Sequence, residues 1–190
     1  MSRYIAVDID EVLVPFFPEL SKYHQKKIRK PLKLPLRYPY HYAPVFNISE
    51  KESSKLVKEF YNSGEHSNIQ PIYGANDGIS QLANDYILVA VTGRQSYSKD
   101  ATEALITRHF GNKITDIIYC DHFTTFSRSK SDICKKLGAE YMIDDSMHSC
   151  VECLNDNIPA INFIGNPIYP WCETSSISAR DWSDVLNIIL

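Results

Sequence analysis

Apolar and polar positions follow two textures along this chain. Tyr4-Ile-Ala-Val7 is a short apolar run that stops abruptly at acids, which predicts a buried parallel strand with functional groups at its carboxyl end. Regular alternation of apolar strands and amphipathic segments resumes near Pro71. A helix is predicted over Asp77 to Ala83, a strand over Tyr86 to Val91, a helix over Ser98 to Phe110 stopped by Gly111, and a strand over Ile114 to Tyr119. A helix over Ser131 to Leu137 ends at Gly138, followed by a strand over Glu140 to Ile143. A helix over Met147 to Leu154, a strand over Ala160 to Ile164 and a closing helix over Trp182 to Leu190 complete the pattern. Strands alternating with helices predict an α/β fold with a parallel sheet covered on both faces.

The stretch from Phe16 to about Pro71 has a different texture. A polar, basic segment from Glu19 to Lys30 is helical in pattern. Pro31, Pro35, Pro39 and Pro44 then punctuate a tyrosine-rich segment that cannot be one continuous helix. Ser49 to Phe60 predicts a helix, with Ser49 as N-cap and Glu52 completing a capping box. The expected organisation is a core of residues 1–15 and 71–190 with residues 16–70 inserted as a small, mainly helical cap.

Composition narrows the picture. A length of 190 residues, 44% hydrophobic and 23% charged, is enough to bury a core without covalent staples. A net charge of -3 excludes a chain built as a whole to coat nucleic acid. The five cysteines are odd in number and scattered, so no disulfide framework is expected, and Cys150-Val-Glu-Cys153 reads as two thiols on a helix face. Asp8 and Asp10 interrupt the region where a secretion signal needs its apolar run, and no apolar run is long enough to span a membrane. The expectation is a soluble protein of a reducing, cytoplasmic environment.

Candidate chemistry gathers where the strands end. Ligand sites in open parallel sheets form beyond the carboxyl ends of the strands. The first strand delivers Asp8-Ile-Asp10-Glu-Val12-Leu13, the second Thr92-Gly93-Arg94, and the fourth Asp144-Asp145; Lys130 opens a helix between the last two. Carboxylates gathered at one edge repel one another unless positive charge lies between them. A hard divalent cation such as Mg²⁺, taking carboxylates, waters and a substrate phosphate, resolves that repulsion. Lys130 can neutralise phosphate charge, and the Thr92 hydroxyl and the Gly93 N–H can donate to phosphate oxygens. A carboxylate can act as nucleophile and a second one as general acid and base. Arg94 could clamp phosphate or pair with a carboxylate.

These residues resemble the signature of the haloacid-dehalogenase superfamily, D-x-D-x-[TV]-[LV], here Asp8 to Leu13. The resemblance implies a three-layer Rossmann-like sheet. It makes Asp8 the residue that becomes phosphorylated, Asp10 the acid/base, and Val12 a mark of the phosphatase branch. Thr92 matches the second motif, Lys130 the third and Asp144–Asp145 the fourth. Mg²⁺ would then be held by Asp8, the Asp10 carbonyl, and Asp145 with Asp144 beside it. Pro71-Ile-Tyr-Gly74 and the insertion after the first motif are similar to the 5'(3')-deoxyribonucleotidases, in which an aromatic residue at the position of Phe16 stacks on the nucleobase. Glu11 departs from the glycine usual there, and Gly93-Arg94 from the usual serine.

The implied activity is Mg²⁺-dependent phosphomonoester hydrolysis, with a nucleoside monophosphate as the preferred substrate. The alternatives are a phosphatase acting on nucleic-acid ends or on another small phosphate ester, phosphoryl transfer to an acceptor other than water, and a binding module without turnover. The basic run Lys22, Lys26, Lys27, Arg29, Lys30, Lys33 and Arg37, beside Tyr38, Tyr40, His41 and Tyr42, reads as a solvated face, as a steering surface for an anionic substrate, or as a track for a nucleic-acid backbone. The six histidines show no zinc spacing and are expected at the surface or behind the site. Tyr169, Trp171 and Trp182 are expected as packing residues.

Overall fold

The computed structural model describes residues 2–34, 36–37, 41–174 and 177–190. Tyr38 and Tyr40 of the tyrosine-rich segment lie outside the described residues. The strands are β1 (Tyr4–Val7), β2 (Ile87–Thr92), β3 (Ile114–Tyr119), β4 (Ala139–Asp144), β5 (Ala160–Phe163) and β6 (Ser178–Ala179). All pair in parallel, in the order β3-β2-β1-β4-β5-β6. The chain builds outward from β1 to β3, then crosses back to lay β4 on the other side of β1. That reversal opens a crevice at the carboxyl ends of β1 and β4, where an open α/β sheet places its ligand.

The apolar runs of the strands are continuous because both faces are covered. Ile5, Val7, Leu88, Ala90, Ile143, Ile161 and Phe163 belong to one buried cluster, while Ala6, Val89, Val91, Met142 and Ala160 belong to a second. Side chains alternate across a strand, so neighbours in sequence part to opposite faces. Each fully buried Ile or Leu stabilises the fold by roughly 1.5–3 kcal/mol relative to exposure, which makes the sheet a stiff platform.

Helices α1 (Phe16–Ile28), α2 (Tyr42–Phe46), α3 (Glu50–Tyr61) and α4 (Gly64–Ser67) fall between β1 and α5 (Ala75–Leu82). The expected capping box at Ser49 is present: its hydroxyl accepts from the Glu52 N–H, and Glu52 accepts from the Ser49 N–H. Phe16, Phe17, Leu20, Phe46, Leu56, Phe60 and Tyr61 join the first sheet cluster, so α1, α2 and α3 share its core. α2 was not foreseen. Pro44 is compatible with it because the third helical residue has no intrahelical partner for its N–H.

The remaining helices are α6 (Lys99–Phe110), α7 (Lys130–Leu137), α8 (Met147–Asn155) and α9 (Trp182–Ile189). Gly138 ends α7 in the left-handed conformation, as its position in the sequence implied. α9 packs on α5 through Gly78: a Cβ there would fall 2.3 Å from Trp182 Cε3, so only glycine admits the indole. Trp182 Nε1 in turn donates to the Val12 carbonyl at 3.0 Å, tying α9 to the loop after β1. The two-residue β6 was also unforeseen; its pairing with β5, not any apolar run, makes it a strand. Among the described residues, no helix is long and apolar enough to cross a membrane.

Candidate active site

Asp8 follows the last residue of β1, and its N–H still donates to the Ile143 carbonyl of β4 at 2.9 Å. The sheet ladder thus fixes where the carboxylate stands. β4 ends at Asp144, and Asp145 follows; both are fully buried. Lys130 opens α7 and reaches between the strands, with Nζ 2.9 Å from Asp8 Oδ2 and 2.8 Å from Asp144 Oδ2. The sheet therefore brings together four residues expected to meet. One carboxylate oxygen from each of Asp8, Asp144 and Asp145 lies within 4.8 Å of the others.

The charges in this cluster do not balance. Three buried carboxylates face one ammonium. Burial opposes the Lys130 charge, yet Asp144 and Asp8 outweigh it and hold the ammonium well above its ordinary range. Burial pushes Asp8 up to about 7, with Lys130 pulling the other way. Burial and then the neighbouring Asp144 push Asp145 well above the usual carboxylate range. Asp144 spends one oxygen on Lys130 and the other on the Ser146 N–H. Asp145 Oδ2 accepts from the Trp171 indole N–H at 2.7 Å. Two buried oxygens, Asp8 Oδ1 and Asp145 Oδ1, have no hydrogen-bond partner. Buried oxygens without a donor are costly, and a hard cation with oxygen ligands satisfies them. The donor set fits Mg²⁺.

Asp10 stands apart from this cluster. Its carboxylate takes Arg94 Nη2 at 2.7 Å and Nε at 3.1 Å on Oδ1, and Nε at 3.2 Å on Oδ2. Of the two roles open to Arg94, the structure shows the carboxylate pair. Thr92, at the end of β2, is fully buried; its hydroxyl oxygen accepts from the Arg94 N–H at 3.2 Å, which leaves the O–H to donate elsewhere. Gly93 lies under His122: an added Cβ would come within 2.8 Å of the imidazole Nδ1.

The loop from Ile9 to Val14 is pinned tightly. Glu11 adopts φ +59°, a left-handed value that favours glycine. Three contacts hold it there: its N–H donates to Val14, its Oε1 accepts from the Phe17 N–H at 2.6 Å, and its carbonyl accepts from the Tyr169 hydroxyl at 2.9 Å. Glutamate in place of the expected glycine thus anchors the start of α1.

A cavity of about 300 Å³ opens beside Asp8, Asp10, Gly93 and Arg94. Phe16 lines it, yet it is only 1% exposed, with its ring against Phe60 and Tyr61. Tyr42, Tyr61, Tyr97, His122 and Phe123 also line the cavity, and the edge of His41 meets Phe123 across it at 5.2 Å. Reasoning from sequence missed the contributions of His122, Phe123 and Tyr97 because no local pattern marks a loop residue as a wall. Trp171 was expected only as packing; it is a donor to Asp145, and nothing local signals that.

The basic run is neutralised in its first half. Lys22 pairs with Glu19, Lys26 with Glu65 and Lys27 with Glu59. Arg29, Lys30, Lys33 and Arg37 are exposed. Of the histidines, His24 and His66 are buried, and His66 stands behind Arg94. All five cysteines are free and buried, Cys150 and Cys153 on one helix as expected.

The fold recurs in known structures. A protein from Lactobacillus plantarum, provisionally described as a phosphoglycolate phosphatase, superposes with TM-score 0.71 at 15% identity over 100% of both chains. The fold is haloacid-dehalogenase-like. A predicted phosphoglycolate phosphatase from Haemophilus somnus gives 0.69 at 14% identity, covering 100% of this chain and 98% of the other. A provisionally described haloacid-dehalogenase-type hydrolase from Bacillus subtilis, determined bound to magnesium, gives 0.66 at 16% identity, covering 99% and 98%. No protein-family model matches the chain, and no curated protein matches it.

Proposed function

We propose that the protein hydrolyses phosphomonoesters through a phosphorylated Asp8, with a nucleoside monophosphate as substrate. The observation that carries this reading is the buried cluster of Asp8, Asp144 and Asp145 around Lys130, with two carboxylate oxygens left over. An Asp8 oxygen attacks phosphorus in line, and the bond to the leaving oxygen breaks as that oxygen takes a proton from the Asp10 carboxyl. Water then attacks the phosphorus, gives its proton to Asp10 and returns Asp8 as a carboxylate. Thr92, Gly93 and Lys130 hold the phosphoryl oxygens. Asp8, Asp145 and the Asp10 carbonyl, with Asp144 behind them, would hold Mg²⁺. When bound, the ion supplies positive charge against the crowded carboxylates and the phosphoryl oxygens.

In this reading residues 16–70 act as a cap over the core of residues 1–15 and 71–190, shielding the reacting phosphorus. The aromatic walls of the cavity, Phe16 among them, support a flat leaving group such as a nucleobase. The pairing of Lys22, Lys26 and Lys27 with acids weighs against a long nucleic-acid substrate. The five unbridged thiols support a reducing, cytoplasmic setting. The test is phosphate release from a panel of nucleoside and sugar monophosphates, with Mg²⁺ and with a chelator. Release from nucleotides that needs the metal and vanishes in Asp8→Asn supports the reading. No release from any member of the panel defeats it.

A further inference from the structure

We propose that Arg94 is a positioning residue that holds Asp10 in place for proton transfer, and that it does not bind the phosphoryl group. The inference rests on the phosphatase reading above and deepens it.

The Arg94 side chain is fully buried and braced along its length. Nη2 and Nε face Asp10, while Nη1 turns away and donates to Thr102 Oγ1 at 2.9 Å. Thr102 lies 3.3 Å from the Ser98 hydroxyl, which donates to the Gln95 carbonyl at 2.8 Å. His66 Nε2 stands 3.5 Å from Nη1. The guanidinium carbon sits 5.2 Å from the Phe16 ring centre and 5.3 Å from that of Tyr61, within reach of both π faces. This fork has one orientation, and Asp10 is its target.

The two carboxylate oxygens of Asp10 are held unequally. Oδ1 receives bonds of 2.7 and 3.1 Å, whereas Oδ2 receives only the longer edge of the fork, 3.2 Å. The Asp10 side chain keeps 14% of its surface exposed, and the residue lines the cavity. Oδ2 is thus the oxygen with capacity to spare for a proton and a leaving group. Were Arg94 to swing onto a phosphate, Asp10 would be left as an unpaired carboxylate beside Asp8 and a dianion. Like charges packed together without a partner are strongly unfavourable. Phosphate charge already has a partner in Lys130, 2.9 Å from Asp8. The Thr-Gly-Arg segment after β2 therefore faces two ways: Thr92 and Gly93 towards phosphate, Arg94 towards the acid/base.

The test separates proton delivery from phosphate binding. kcat/KM reports events up to departure of the leaving group. It is measured for a nucleoside 5'-monophosphate, whose alkoxide needs a proton, and for 2,4-dinitrophenyl phosphate, whose leaving group does not. In Arg94→Gln the nucleotide value falls by about a hundredfold, the order of a lost general acid. The dinitrophenyl value falls far less. Thr102→Val, which loosens only the brace, shows the same skew at smaller size and covers the case in which Arg94→Gln fails to fold. Equal losses on both substrates overturn the proposal. Wild-type protein that turns over neither substrate defeats the phosphatase reading itself, whereas turnover with an unchanged ratio in the variants defeats only the role of Arg94.

Discussion

Asp8 and Asp10 are separated by one residue, yet the two sides of the cleft they occupy are balanced differently. On the Asp8 side three buried carboxylates share one Lys130 ammonium, and two oxygens remain without a donor. On the Asp10 side one carboxylate meets one guanidinium through three close contacts, while burial and then Asp10 push the neighbouring Glu11 carboxyl well above the usual carboxylate range. The first side is built with negative charge to spare; on the second the Asp10 charge is paired. In the proposed reading a cation belongs to the first. In the same reading the second aims a single Asp10 oxygen. The sheet-edge acids are buried and the Asp10 side chain is 14% exposed, but the sharper difference between the two sides is the balance of charge.

The largest expected effect is at Lys130. Lys130→Met leaves Asp8 and Asp144 without their ammonium, and breaking a buried pair in this way costs about 3–5 kcal/mol. Denaturation should show that loss, and added Mg²⁺ should restore part of it. Arg94→Gln should show no such rescue. Equal responses of the two variants to Mg²⁺ would erase the contrast between the two sides.

Next comes Trp171, whose indole N–H occupies Asp145 Oδ2 and leaves Oδ1 over. Removing a group that orients a metal ligand typically weakens metal binding by about ten- to a hundredfold. Mg²⁺ should change the tryptophan fluorescence of the wild type. Trp171→Phe should lose that signal, although Trp182 remains, and should bind the ion about tenfold more weakly when followed by calorimetry. Unchanged affinity would show that Asp145 needs no such support.

His66 tests the region behind Arg94. Burial, and then the Arg94 charge, pull His66 down to about 3. Folded His66 is therefore neutral where an unfolded histidine, near 6.5, takes up a proton. Its contribution to stability is complete above about 6.5 and is lost as pH falls towards 3, because only the unfolded chain gains the proton in that window. Between pH 7 and pH 5 this should remove about 2 kcal/mol from the wild type and not from His66→Gln, as read by urea denaturation at both pH values. Parallel pH profiles would contradict a neutral His66.

The smallest effect is expected from the exposed lysines. Lys22, Lys26 and Lys27 pair with acids on solvated helix faces, where ion pairs contribute little. Replacing all three with Ala should leave the melting temperature and the nucleotide KM close to wild type. A sharp loss of oligonucleotide binding in that variant would instead revive the nucleic-acid reading.

Much of this layout was legible in the chain. Asp8, Thr92, Lys130 and Asp144–Asp145 each adjoin an apolar strand or open a helix, and a parallel sheet leaves such positions one place to converge. The capping box at Ser49 and the stop at Gly138 were equally plain, since both depend on residues within a few positions of one another. Less was visible between β1 and α5. α2 forms in a proline-bearing segment through packing of Ala43 and Phe46, and Phe16 stands in the cavity wall among other rings instead of alone.

By itself the sequence determined the succession of strands and helices, and it set the acids and Lys130 at strand and helix ends. Hydrophobic period, caps and breakers act over a few residues, so these are local facts. Only the tertiary structure decided which charge answers which. Arg94 finds Asp10 across 84 positions of chain, and Trp171 finds Asp145 across 26. Such partnerships depend on distance through space and on the exclusion of water, and neither quantity exists until the sheet has closed its faces.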